Sequence, residues 1–186
     1  MGQVWLVDFD DSFTFNIAAE FLRHGLECKV IPWREWEAPS TRFPRLLVLG
    51  PGPGHPDEYH IEDRLMAWWK TSVPIAGICL GHQFIARFLG LPVTRSQHPS
   101  HGEAFIWPVP LPWQRKLNLP KQVEVQRYNS LGVPARTLPR GWSGWEEGGE
   151  WMALSHERAL SYQFHPESVG TSCPDAFFLP LCRLAL

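Results

Sequence analysis

The 186-residue sequence predicts an α/β fold: a mostly parallel central sheet with helices on both faces and a small β-rich region. Strands and helices alternate through the first ninety residues. From Leu91 to about Trp151 the texture changes: Pro and Gly become frequent, and short β-type runs follow one another without intervening helices. No internal repeat, low-complexity tract or linker divides the chain, so residues 1–186 are expected to form a single domain.

Each element has a local reason. Gln3–Val7 is a short apolar run that reads as a buried strand. Phe13–His24 carries Ile17, Ala18, Phe21 and Leu22 at helical spacing, with Ser12 as the expected N-cap and Gly25 as the stop. Glu27–Ile31 and Arg45–Leu49 read as further strands. Glu58–Lys70 reads as a helix through Ile61, Leu65, Trp68 and Trp69. Val73–Cys79 is the next strand and Leu80–Leu89 the next helix, closed by Gly90. Gln122–Gln126 is β-type. Met152–Leu154 and Ala159–Phe164 flank "SHER" as a hairpin, and Ala176–Leu186 suits a short final helix in spite of Pro180.

Composition narrows the classes. Seventeen basic residues stand against nineteen acidic ones, net −2, so no electrostatic case exists for nucleic acid or an anionic membrane. Cys28, Cys79, Cys173 and Cys182 form no C-x-x-C pair and no metal-ligand spacing, and no metal site is expected. The opening "MGQVWLVDFDD" has neither a basic leader nor a long apolar stretch. No apolar run approaches the roughly 18 residues of a membrane span. The expectation is a soluble, cytoplasmic protein with reduced thiols.

Three short stretches carry chemistry. "GICLGHQ", Gly77–Gln83, has the G-x-nucleophile-x-G form of a nucleophile elbow, in which glycines allow a sharp strand-to-helix turn and expose the central side chain. A helix beginning at once favours thiolate over thiol at Cys79. An isolated G-x-C-x-G fits a small buried cysteine about equally well. "QFHPES" offers a base, His165, and an orienting carboxylate, Glu167. Were the segment extended, residues two apart would project to the same side. Taken alone, a surface His and Glu at a strand end is the favoured reading. "LGPGPGHP", Leu49–Pro56, follows a strand at the end of the sheet where ligands collect. Gly52 and Gly54 can present N–H groups to an oxyanion there, joined by the amide after the nucleophile, that of Leu80. A plain Pro-Gly turn is the bland alternative.

Together with "VDFDDSFTFN", "HGE" (His101–Glu103) and "RYNSL" (Arg127–Leu131), these stretches resemble the class I (triad) glutamine amidotransferases in order and over most of the chain. Within that class the chain looks like the glutaminase subunits (component II) of anthranilate synthase and aminodeoxychorismate synthase. The resemblance implies the three-layer fold of that class, with Cys79 as nucleophile, His165 as acid/base and Glu167 as its orienting partner. It implies oxyanion N–H groups from Gly52 and Leu80. L-Glutamine would be held by Gly52, Pro53, Gly54, Gln83, Ser130 and Leu131. It further implies a thioester intermediate, ammonia passed to a chorismate-binding component I, and anthranilate (tryptophan) or 4-amino-4-deoxychorismate (folate) as product. No cofactor is implied for glutamine hydrolysis, and magnesium is implied in the partner subunit.

Asn129 stands where the family more often has His, and Glu103 where Lys is common. Neither touches the triad. Rival readings are an amidotransferase of another pathway, a free-standing hydrolase of the same fold, and a binding module that has lost catalysis.

Overall fold

Strands whose residues are apolar on both sides can be stable only between two covering layers. The computed structural model, which describes residues 3–186, builds that arrangement. Its first half runs β1 (Val4–Asp8), α1 (Thr14–Arg23), β2 (Cys28–Pro32), β3 (Leu46–Leu49), α2 (Glu62–Trp69), β4 (Ile75–Ile78) and α3 (Leu80–Phe88). The second half runs β5 (Thr94–Arg95), β6 (Glu103–Pro108), α4 (Leu111–Leu117), β7 (Gln122–Arg127), β8 (Leu131–Gly132), β9 (Ser143–Glu147), β10 (Glu150–His156), β11 (Ala159–Tyr162) and α5 (Pro174–Leu184).

Seven strands form the central sheet in the order β2-β1-β3-β4-β11-β10-β9. The pairs from β2 through β11 are parallel; β10 is antiparallel to both of its neighbours. One face packs Leu6, Val48, Ile78 and Tyr162 against α1, α4, α5 and β7, with Ile17, Phe21, Phe177 and Leu181 buried among them. The other face packs Val7, Leu47, Leu49 and Ile75 against Leu65 and Trp68 of α2 and Phe84 and Ile85 of α3. Two further two-stranded pairs, β6–β7 and β5–β8, make the small β-rich region.

Several local expectations change. The stretch after Leu91 contains a helix, α4, where none was expected. Pro110 and Pro112 start it without needing N–H donors, and Trp113 and Leu117 bury four residues apart. Ser12 does not cap α1. The Asp8 carboxylate takes the Thr14 hydroxyl (2.7 Å), and the Asp11 carboxylate takes the Phe13 N–H (2.8 Å). Ionised acceptors outcompete a serine hydroxyl for these donors. The expected helix Glu58–Lys70 is divided: a tight 3₁₀ turn at Pro56–Tyr59 ends at His60, whose φ of 49° is left-handed, and α2 starts afresh at Glu62. Pro180 lies inside α5 without ending it. The hairpin about "SHER" forms as β10 and β11, and Gly25 and Gly90 stop their helices at φ of 79° and 76°. No helix of the described residues is long and apolar enough to cross a membrane.

Candidate active site

Cys79 lies at the carboxyl end of β4, in the middle of the sheet, and is the residue from which α3 starts. Its φ of 53° with ψ of −103° is a strained conformation for a residue with a side chain. The surroundings hold it there. A Cβ at Gly77 would lie 2.4 Å from the Gly81 carbonyl oxygen, and one at Gly81 would lie 1.9 Å from that of Leu49. Both glycines are therefore required by close backbone approach. The Cys79 N–H bonds to the Tyr162 carbonyl (2.8 Å), and the Gly81 N–H bonds to that of Gly50 (3.1 Å). Leu80, at the first position of α3, has an N–H with no carbonyl one turn back in the helix to receive it.

His165 is buried, and its Nδ1 lies 2.6 Å from the Glu167 Oε1. The segment is not extended, which corrects the expectation for it. The Ser168 N–H returns to the His165 carbonyl (3.2 Å), and this turn, rather than strand alternation, brings the two side chains together. The rings of Phe13 and Tyr128 pack on the imidazole at centroid distances of 5.0 and 5.1 Å. Burial by itself pushes the His165 pKa down, but the Glu167 carboxylate and the Cys79 sulfur within hydrogen-bonding reach raise it well above the ordinary value. The imidazolium is thus the favoured form, paired with the Glu167 carboxylate at 2.6 Å.

Beside Cys79 a cavity of about 160 Å³ is lined by Gly52, Pro53, Gly54, Leu80, Gln83, Tyr128, Asn129, Ser130 and Leu131. The structure therefore brings together every residue that the sequence singled out for binding. Gly52 is glycine for lack of space, since a Cβ there would meet Phe9 and Leu80 at 2.5 and 2.7 Å. The Tyr59 hydroxyl pins the Pro53 carbonyl (2.7 Å). No Asp, Glu, Lys, Arg or His side chain lines it, so the cavity suits a ligand with no net charge.

Sequence reasoning missed a chain of amides behind this cavity. The Arg127 Nε donates to the Asn129 Oδ1 (3.0 Å), and the Asn129 Nδ2 donates to the Leu131 carbonyl (2.7 Å). The Gln83 Nε2 donates to the same carbonyl and to the Gln163 Oε1, each at 3.2 Å. Gln163 then turns its own Nε2 towards the Cys79 sulfur, 4.0 Å away. A guanidinium can only donate and a carbonyl can only accept, so the orientation of each amide is forced. Asn129, which departs from the family's usual residue, fits this chain through both ends of its side chain. Glu103 is exposed at the start of β6 and takes no part.

His82, also missed, is wholly buried on α3. Its Nε2 donates to the Trp151 carbonyl and its Nδ1 accepts from the Ser161 hydroxyl, both at 3.0 Å. Burial pushes its pKa down to about 3, so it stays neutral and structural. A depressed histidine contributes stability that is present above its unfolded pKa of about 6.5 and lost as pH falls towards the folded value. Unfolding free energy should therefore drop by up to about 1.4 kcal/mol per pH unit between pH 6.5 and about 3 on account of this group. The slope should be shallower in His82→Asn, as urea melts at several pH values would record; equal slopes would contradict the assignment.

Among the described residues, one group of potential metal ligands converges away from the cavity: Glu20, His24 and Asp175. Arg23 occupies it by pairing with both carboxylates.

The fold and the elbow define a class, and comparison with known proteins agrees with it. The family model described as glutamine amidotransferase class-I matches residues 5–179. This chain belongs to the class I glutamine amidotransferase family. Several of its curated relatives are named as component 2 proteins. It is 34% identical to the pyocyanine-specific anthranilate synthase component 2 of Pseudomonas aeruginosa, over 91% of this chain and 88% of that protein. It is 35% identical to aminodeoxychorismate synthase component 2 of Klebsiella aerogenes, over 89% and 91%. It is 33% identical to aminodeoxychorismate/anthranilate synthase component 2 of Bacillus subtilis, over 91% and 90%. Among solved structures, a putative GMP synthase protein from Thermoplasma acidophilum superposes with a TM-score of 0.78 at 23% identity, covering all of this chain and 94% of that one.

Proposed function

We propose that the chain is a glutaminase subunit, which hydrolyses L-glutamine and passes ammonia to a chorismate-binding component I. The observation that carries this reading is the buried His165–Glu167 pair set beside a strained elbow cysteine that opens on an uncharged cavity. In the proposed reaction the Cys79 thiolate attacks the side-chain carboxamide carbon of glutamine. The oxyanion that forms accepts N–H bonds from Gly52 and Leu80. His165 gives its proton to the departing nitrogen, which leaves as ammonia, and a thioester remains on Cys79. Water then attacks the thioester, its proton passes to His165, and glutamate departs. Glu167 orients the imidazole throughout.

Gly52, Pro53, Gly54, Gln83, Ser130 and Leu131 hold the substrate through neutral dipoles. A zwitterionic glutamine carries no net charge into the cavity, whereas glutamate brings an extra anion next to the regenerated Cys79 thiolate, and this favours product release. Every group in the scheme is a side chain or a backbone amide, so hydrolysis calls on no cofactor from this chain, and magnesium belongs with the partner. Relatives named for both synthases support a component I partner and leave anthranilate and 4-amino-4-deoxychorismate as the two candidate products.

The test is glutamine hydrolysis by the purified chain, alone and with the component I of either synthase plus chorismate. Slow hydrolysis alone, accelerated at least tenfold by one partner, is the expected result. Rapid hydrolysis by a chain that binds neither partner would favour the free-standing hydrolase.

A further inference from the structure

The nucleophile and the acid–base pair of this site are held by different parts of the fold. Cys79 belongs to the central sheet through β4 and the Tyr162 carbonyl of β11. The backbone after Phe164 leaves that sheet and adds to the free edge of β7, whose other edge is paired with β6. The His165 N–H bonds to the Gln126 carbonyl (3.0 Å) and the Ser172 N–H to the Glu124 carbonyl (2.8 Å). The Gln126 N–H bonds to the Thr171 hydroxyl (3.0 Å), which in turn donates to the His165 carbonyl (2.7 Å).

Gln126 completes this attachment with its side chain. Strand alternation turns it away from the buried Val125 and Arg127, so it reads as an ordinary solvent-facing position. Its Oε1 nevertheless accepts from both the Ser168 hydroxyl and the Gly170 N–H (3.0 Å), and its Nε2 donates to the Gly102 carbonyl (3.0 Å). An N–H at one end and a carbonyl at the other leave the amide one orientation. The fit is close, for a Cβ at Gly170 would lie 2.4 Å from Oε1. Ser168 directly follows Glu167, and Gly102 directly precedes β6.

We propose that Gln126 is a positioning residue for the acid–base pair: its amide clamps the turn carrying His165 and Glu167 to the β6–β7 hairpin. The hairpin, and not only the sheet that bears Cys79, then sets where the imidazole stands. A movement of the hairpin would carry His165 and Glu167 relative to the sulfur. The proposal rests on the glutaminase reading for its effect on rate, but its geometry can be tested without that reading.

The groups that face His165 are Glu167 on its own turn, Cys79 on the elbow and Tyr128 beyond the end of β7; Phe13 adds only an apolar ring. Loosening the turn withdraws Glu167, so the imidazolium should lose its proton at lower pH. Gln126→Leu removes both ends of the clamp. Gln126→Glu keeps the acceptor for Ser168 and Gly170 and removes only the donor to Gly102.

The direct experiment is NMR titration of the protein with ¹³C-labelled histidine, the His165 signal being identified by its loss in His165→Asn. Its deprotonation midpoint should fall by about one pH unit in Gln126→Leu and should stay within a few tenths of wild type in Gln126→Glu. In the partnered glutaminase assay Gln126→Leu should lower kcat about tenfold with KM within twofold, and Gln126→Glu should restore most of it. An unchanged His165 midpoint in a folded Gln126→Leu protein overturns the proposal. So does an equal fall in both variants, which would place the effect on the Gly102 contact alone. If the wild type hydrolyses no glutamine with either partner while the midpoint moves as expected, the functional reading fails and the clamp stands.

Discussion

Replacing Cys79 with Ala should abolish glutamine-dependent product formation by the assembled synthase, by at least ~10⁴-fold, while synthesis from added ammonium salt continues at a rate near wild type. The magnitude follows from the role proposed for the sulfur. Without it no thioester can form, and His165 and the oxyanion N–H groups have no attacking atom to serve. The small side chain should be tolerated at the elbow, because the strain there is one of backbone conformation and Ala adds no bulk to a position already closed by Gly77 and Gly81. Cys28 and Cys182 cannot substitute. Burial raises their thiol pKa values to about 12 and about 11, so both stay protonated and weakly nucleophilic at neutral pH. Parallel assays with each nitrogen source decide the matter. Equal loss with ammonia and glutamine, in a complex that remains assembled, would show that Cys79 does more than generate ammonia.

How much of this could be read from the sequence depended on the range of the interactions involved. The elbow was legible because its demands are local: a sharp turn between two glycines, then a helix, all within Gly77–Gln83. The Pro-Gly loop was legible for the same reason, and its approach to Cys79 follows from the parallel order of β3 and β4. His165 and Glu167 were found, but by a mistaken geometry. They meet across a turn closed by Ser168, a conformation that single-strand alternation does not describe. The amide chain from Arg127 to Gln163 joins residues up to 80 positions apart, and no spacing rule links Gln83 to Gln163. Gln126 illustrates the limit best. Its alternation on β7 marks it as solvent-facing, and only the addition of residues 165–172 to that strand edge gives its amide oxygen two partners beside the Gly102 carbonyl that its nitrogen meets. Helix α4 was overlooked because two of its first turn's neighbours are prolines, a signal shared with loops.

The Arg127→Met variant should lose about 3–5 kcal/mol of stability, which for a chain of this length lowers the melting temperature by roughly 10 °C. Arg127 and Glu150 are 2% and 3% exposed and lie 3.5 Å apart. Burial lowers the Arg127 pKa while Glu150 and Cys79 oppose that shift, and a guanidinium so placed remains charged. Its plane also faces the rings of Phe105 and Trp107, each 5.6 Å away. Taking away the cation strands the Glu150 carboxylate, which keeps only the Ser96 hydroxyl (3.0 Å) and the Gln97 N–H (2.9 Å). A buried charge without its counter-ion costs far more than the intact pair contributes. Neutralising the second partner should therefore recover much of the loss, and Arg127→Met/Glu150→Gln should melt well above the single variant. The same substitution reaches the binding cavity. Asn129 loses the donor that fixes its amide, so the Leu131 carbonyl is held by a less ordered donor, and Gln83 shares a less ordered acceptor. For the double variant, which separates binding from stability, KM for glutamine should rise about tenfold with a smaller change in kcat. A single variant within about 1 kcal/mol of wild type, or a double variant with unaltered KM, would show that the pair neither anchors the fold nor shapes the cavity wall.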